Sequence, residues 1–186
     1  MAEIHPDSAA ALGLTDAELD RVSAGTLVIG GPNHTGNIVI NGAVSAPATY
    51  STLTVQTTGA GTITDSAAVA VSVPTLNLSA TSGITVDQAP LAVSGVTTIT
   101  AGAGNAVLST ATNNFNRVDV VSGNDVTLVD SNAIQLGAAN VTNNLSVTAV
   151  GITQDASGIT VGGTSTFNGG AAAITLTTAT NDFGGA

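Results

Sequence analysis

One internal repeat constrains this chain more than any other feature. Gly83-Ile-Thr-Val-Asp87 returns as Gly151-Ile-Thr-Gln-Asp155, and Leu108-Ser-Thr-Ala-Thr-Asn-Asn-Phe115 returns as Leu176-Thr-Thr-Ala-Thr-Asn-Asp-Phe183. Both pairs share an offset of 68 residues, so 83–115 aligns with 151–183 without a gap. Val93, Gly95, Thr98, Gly102 and Ala103 are also identical in the two copies. Self-similarity at fixed register is the signature of a stacked repeat architecture, in which no unit buries its apolar face alone.

A shorter beat runs inside the repeat. An apolar-x-apolar strand recurs at Val55, Leu78, Ile99, Val120, Val147 and Phe167. A second series follows it at Ile63, Ile84, Val107, Leu128, Ile152 and Ile174, and a third at Val71, Val93, Phe115, Leu136, Val161 and Phe183. The offset of 68 then reads as three turns of about 22 residues, each with three strands. Gly, Asn, Ser and Pro punctuate the strands, and no 3.6-residue period follows residue 25. The expected fold is an all-β, right-handed parallel β-helix (β-solenoid) over residues 26–186. Val55, Leu78, Ile99, Val120, Val147 and Phe167 are expected as a core column, with Phe115 and Phe183 filling a corner. Roughly seven turns at the strand spacing of about 4.8 Å make a rod about 35 Å long.

Residues 1–25 read differently. Thr15-Asp16-Ala17-Glu18 fits a capping box, with Thr15 as N-cap and Glu18 reaching back. A short helix is expected at roughly 15–23, stopped near Gly25, with Leu19 and Val22 on its buried face. This segment is expected to act as a cap or assembly element.

Composition fits a thin stacked core. Of the 186 residues 43% are hydrophobic but only 2% aromatic, so the apolar mass is Val, Ile, Leu and Ala. Twelve Asp and Glu face two cations, Arg21 and Arg117, giving a net charge of −10. Phosphate neutralisation needs clustered cations, so nucleic acid is excluded as a partner, and so is docking on anionic lipid through a basic patch. No apolar run is long enough to span a membrane, and the acidic first twenty residues are unlike a signal peptide. Without Cys there is no disulfide framework or thiolate metal site.

Catalytic chemistry is poorly provided for. Polysaccharide lyase chemistry needs a strong base with cations or a metal, and hydrolases need paired carboxylates. Asp130 and Asp155 fall near equivalent points of neighbouring turns and form the one candidate pair. His5 and His34 are the only imidazoles, and His34 lies in the turn Gly31-Pro-Asn-His-Thr-Gly36. Gly123-Asn-Asp-Val-Thr-Leu-Val-Asp130 lacks the glycines of a calcium-binding nonapeptide. The Thr-x-Thr pairs at 52/54, 62/64, 98/100 and 175/177 fall on different strands, as β propensity alone would place them. No cofactor, metal or catalytic residue is expected.

Three stretches carry a family resemblance. Leu12-Gly-Leu-Thr-Asp-Ala-Glu-Leu-Asp-Arg-Val-Ser-Ala-Gly-Thr-Leu-Val-Ile-Gly30 resembles the helix-then-strand unit of filamentous-haemagglutinin-like bacterial surface exoproteins. Asn124-Asp-Val-Thr-Leu-Val-Asp-Ser-Asn-Ala-Ile-Gln-Leu-Gly137 and the segment from Ala173 to Gly185 resemble their β-strand repeats. The resemblance implies a right-handed β-helix on the bacterial surface, serving as an adhesin shaft or extracellular fibre; that family's secretion signal is not in this sequence. The expected partner is a further copy stacked head-to-tail, or more of a longer chain. An adhesive module for a glycan or host surface receptor is the alternative reading, although Tyr50 and three Phe expected to be buried supply little of the aromatic platform that glycan sites usually carry, and a polysaccharide-degrading enzyme is the third.

Overall fold

In the computed structural model, residues 2–3, 12–45 and 48–184 are described. The chain is a parallel β-solenoid of about seven turns, with about 21 residues per turn and almost no helix. All ladders between consecutive turns are parallel, as β-branched alternating segments joined by turns require when each strand pairs with its equivalent one turn on.

Each complete turn has three sides. Side one carries short strands: Ile38–Ile40, Ile63–Asp65, Ile84–Thr85, Ala106–Leu108, Val126–Val129, Leu145–Thr148 and Ser165–Asn168. Sides two and three are successive stretches of one bent segment. The bend lies inside the continuous strands Leu91–Thr100, Asn114–Gly123 and Ile134–Val141. In an earlier turn the segment is cut at Pro74 into Val71–Val73 and Thr75–Ala80, and in a later one it forms Ile152–Gln154 and Ile159–Val161. Pro has no N–H to give a ladder, so it sits at the corner. Gly95 packs beneath it, where an added Cβ would lie 2.7 Å from the Pro74 carbonyl oxygen.

Alternation of side chains puts every second residue inside. Thr52–Thr57 and Thr75–Ala80 bury their second, fourth and sixth residues in the same pattern. On side three Ile29, Val55, Leu78, Ile99, Val120, Ala139 and Ile159 stack in register, one per turn. On side one Leu108, Leu128, Val147 and Phe167 form another column.

These registers correct the sequence reading in two respects. Val147 and Phe167 do not continue the column of Val55, Leu78, Ile99 and Val120; they belong to side one. The true successor of Val120 is Ala139, too small to register as a strand position, and β-bulges on either side of Val120 shift the spacing. Nor is the offset of 68 three whole turns. Ile84 lies on side one, whereas its counterpart Ile152 lies on side two. Val93 is on side two and Val161 on side three; Ile99 is on side three and Phe167 on side one. One copy therefore spans three turns plus one side.

The positions shared by the copies are nonetheless the same kind of corner. Gly83 and Gly151 have φ of 127° and 100°, and Gly102 and Gly170 both have φ of 59°. A side chain is strained there, which accounts for glycine at all four.

The N-terminal helix, α1, is a single turn, Asp16–Leu19. The Glu18 carboxylate accepts from the Thr15 N–H at 2.8 Å and the Thr15 hydroxyl at 2.7 Å. Leu19 is buried against the core as expected, but Val22 is 37% exposed. The helix ends before Val22, so that residue leaves the buried face. Asp16 accepts from the Ser45 N–H at 2.8 Å and Thr49 donates to the Asp20 carbonyl, tying α1 to the first turns. Backbone strands Ala2–Glu3 and Leu12–Gly13 extend side one beyond Ile38–Ile40.

Candidate functional surface

Parallel turns leave backbone N–H groups unpaired where strands begin at corners, and side chains satisfy them. At the corner before side one, amide and carboxylate oxygens each take an N–H from the next turn. Asn37 accepts from Thr62 at 3.1 Å, Asn105 from Asp125 at 3.1 Å, Asp125 from Asn144 at 3.2 Å, and Asn144 from Thr164 at 2.9 Å. Asp125 thus serves this ladder.

The shared Thr-Ala-Thr-Asn run explains itself in the same way. Asn113 Oδ1 accepts from the Leu91 N–H at 2.9 Å, and Asn181 Oδ1 accepts from the Ile159 N–H at 3.0 Å. Leu91 and Ile159 are themselves separated by the repeat offset. Thr110 and Thr178 each donate to a carbonyl of the preceding turn, Ala89 and Asp155 respectively. The most repeated string in the sequence is a corner plug.

The carboxylates are dispersed. Asp65 accepts from the N–H groups of Asp87, Gln88 and Ala89. Arg117 makes a two-point bond to Asp119, at 2.8 and 3.1 Å, and a 2.7 Å ion pair with Asp155. Gly137 lies under this cluster, where an added Cβ would overlap the Asp119 carboxylate. Hydrogen bonds from Ser157, aided by Arg117, hold Asp155 below the usual carboxylate range. Asp130 is elsewhere: it points inward, 4% exposed, and its Oδ1 accepts from the Phe115 N–H at 2.9 Å. Burial pushes its carboxyl up to about 6. Asp130 and Asp155, the candidate catalytic pair, thus serve different neighbours at different places.

Among the described residues, no three His, Asp or Glu side chains are grouped to hold a metal ion. His5 lies outside the described residues. His34 is half-buried in its turn, where its carbonyl accepts from Thr57 and Thr58. Tyr50 is not a platform: it is 4% exposed, and burial together with Asp20 and Asp16 pushes its hydroxyl up to about 12. Phe115 is fully buried. Phe167 and Phe183 are half-buried and meet edge to face at 5.7 Å over the end of the core.

Another surface feature is a groove of about 390 Å³ crossing four turns along side two and its bend. Sequence reasoning missed it, because it arises from small outward residues in register. Ser72, Ala92 and Asn114 stack turn on turn, Asn132 donates to Asn114 at 2.9 Å, and Ser94 and Asn116 line the same groove. Its lining carries no charge.

A family described as repeats of unknown function, DUF5649, matches residues 68–122 and 123–186. The chain belongs to this family. The two DUF5649 units meet at the last residue of the strand Asn114–Gly123, so they run in tandem through one continuous stack. Neither a curated protein nor a solved structure matches the chain.

Proposed function

We propose that this DUF5649 chain is a non-catalytic structural rod, a stretch of shaft in a bacterial extracellular fibre or adhesin. One observation carries the reading. Positions late in the first copy of the repeat are buried under the turns stacked on them, whereas the early positions Ile84, Leu91 and Val93 and their counterparts Ile152, Ile159 and Val161 are buried in both copies. Ile99, Ala106, Leu108 and Phe115 are fully buried; their counterparts Phe167, Ile174, Leu176 and Phe183 are partly open, with Ile174 43% exposed. What covers the first copy is further turns of the same kind, so each turn is completed by the one stacked on it. Turns of further copies stacked head-to-tail extend such a rod in the same way, and that contact propagates as a filament because it does not close on itself. The surface location and bacterial source rest on the resemblance of Leu12–Gly30 and the later repeats to filamentous-haemagglutinin-like exoproteins.

Negative-stain microscopy with a light-scattering concentration series tests this. Rods that lengthen with concentration, or with added tandem repeats, are expected; compact particles of constant size in both series overturn it. The groove favours a second reading, an adhesive module for a neutral glycan or host protein, since it presents Ser and Asn groups to solvent along the axis. Saturable binding on a glycan array, lost when Asn114 and Asn116 are changed to Ala, would put that reading first.

A further inference from the structure

Among the described residues Asp65 and Asp130 are the buried carboxylates, and for Asp130 burial outweighs the backbone N–H groups of Phe115, Asn132 and Ser131 that face it. Asp65 takes three N–H groups. Asp130 Oδ2 has no hydrogen-bond partner, while Oδ1 takes the Phe115 N–H. Among the described residues no cation is bonded to it. On the strand Asn114–Gly123 the charged groups are Arg117 and Asp119, and Arg117 is held by Asp119 and by Asp155. Val126–Val129, Ile134–Val141 and Leu145–Thr148 carry no titratable side chain, and Asp125, before the first of these, is bound by Asn143 and Asn144. The residues bonded around Asp130 and its corner are uncharged: Asn113 receives the Ser131 N–H and hydroxyl, and Thr148 receives the Asp130 N–H.

This corner also floors the groove. Phe115 and Asn132, whose backbone N–H groups both face the Asp130 carboxylate, line it. We propose that Asp130 is a proton-operated latch on this corner: protonated, it sits behind the groove floor as a neutral acid, and ionised, it places a charge with no cation partner behind Phe115 that loosens the turn. An unpaired buried charge is far costlier than a buried neutral acid, because the low-dielectric surroundings replace its hydration with nothing.

The direction of the effect follows from proton binding. Between about pH 4 and pH 6 the folded chain holds a proton on Asp130 that the unfolded chain has released. Asp130 therefore favours folding most at and below pH 4, and that contribution is lost as pH rises through 6. The displacement corresponds to a loss of order tenfold to a hundredfold in the folding equilibrium.

Urea unfolding of the wild type and of Asp130→Asn from pH 4 to pH 7.5 tests the latch. Asn keeps the oxygen that takes the Phe115 N–H and cannot ionise. The wild type is expected to lose stability relative to the variant between about pH 4 and pH 6 and to run parallel to it above, and the protection factors of its Phe115 and Asn132 amides, corrected for the intrinsic pH dependence of exchange, are expected to fall over the same range relative to the variant. Stability profiles that stay parallel throughout would overturn the proposal. If Asp130→Asn does not fold, the carbon-13 carboxyl titration of Asp130 in the wild type decides. A midpoint near 6, with the Phe115 amide moving in step, supports the latch, and a midpoint in the ordinary carboxylate range refutes it.

Discussion

At the residue scale, the interior separates side chains that merely fill space from those that complete the backbone. Thr97 stands on side three between Leu76 and Val118, fully buried, and its hydroxyl has no partner. Thr97→Val keeps the shape and removes the stranded hydroxyl, so it should stabilise the fold by about 1 kcal/mol in urea titrations. Asn113 is the opposite case. Its amide accepts from Leu91 and donates to the carbonyls of Leu108 and Val129, so Asn113→Ala strands groups in three places. A loss of about 2–4 kcal/mol is expected. Asn181→Ala, at the same place in the repeat but only half-buried, should cost less than half as much. Equal losses would show that burial does not set the difference. The importance of Thr-Ala-Thr-Asn was legible in the sequence, since the string recurs; its chemistry was not, because the N–H it serves lies 22 residues away. Asp155 bears on pH in the opposite sense to Asp130. Its lowered carboxyl favours folding above its ordinary value of 3.8, and that contribution fades as pH falls further and the ion pair with Arg117 is discharged.

At the element scale, the side-to-side rhythm was readable where side chains are large and lost where they are small. Val55, Leu78, Ile99 and Val120 announce their column; Ala139 does not, and the next large apolar pair, Leu145 and Val147, belongs to another side. Period-two alternation identifies a strand but not the side on which it lies, and a bulge can move it from one turn's register to the next. The one-turn helix α1 shows a similar limit. Its capping residues Thr15 and Glu18 were identifiable from their spacing, but the end of the helix depends on its ties to Ser45 and Thr49, which no local pattern records. Thr15→Ala should cost roughly 0.5–2 kcal/mol of local stability. Because α1 leans on the first turns, the loss should appear as faster amide exchange at Ala24 and Ser45, whose N–H groups bond to Thr49 and Asp16. Amides in Leu91–Thr100 should be unaffected.

At the scale of the whole molecule, a stack whose copies advance by three turns and one side distributes its repeated features around the rod. The corner plug at Asn113 opens side two, and its copy at Asn181 precedes side three. Stability in such a stack is close to a sum of each turn's own stability and its contacts with the turns on either side. Turns in the middle have two neighbours, and opening them requires breaking both interfaces. The described turn with Ser165–Asn168 and Asp182–Phe183 has a ladder on one face only, and the first turns have α1 laid against them. Native-state hydrogen exchange should therefore be graded along the axis. Amides of Leu91–Thr100 and Asn114–Gly123 should exchange slowest, those of Thr26–Gly30 faster, and those of Ser165–Asn168 and Asp182–Phe183 fastest, in that order. Adding a further repeat after the last turn should slow the final set towards the values of the middle while leaving the middle unchanged. Uniform protection along the chain, or protection of the last described turn that an added repeat does not alter, would mean that the solenoid opens as a single unit rather than turn by turn.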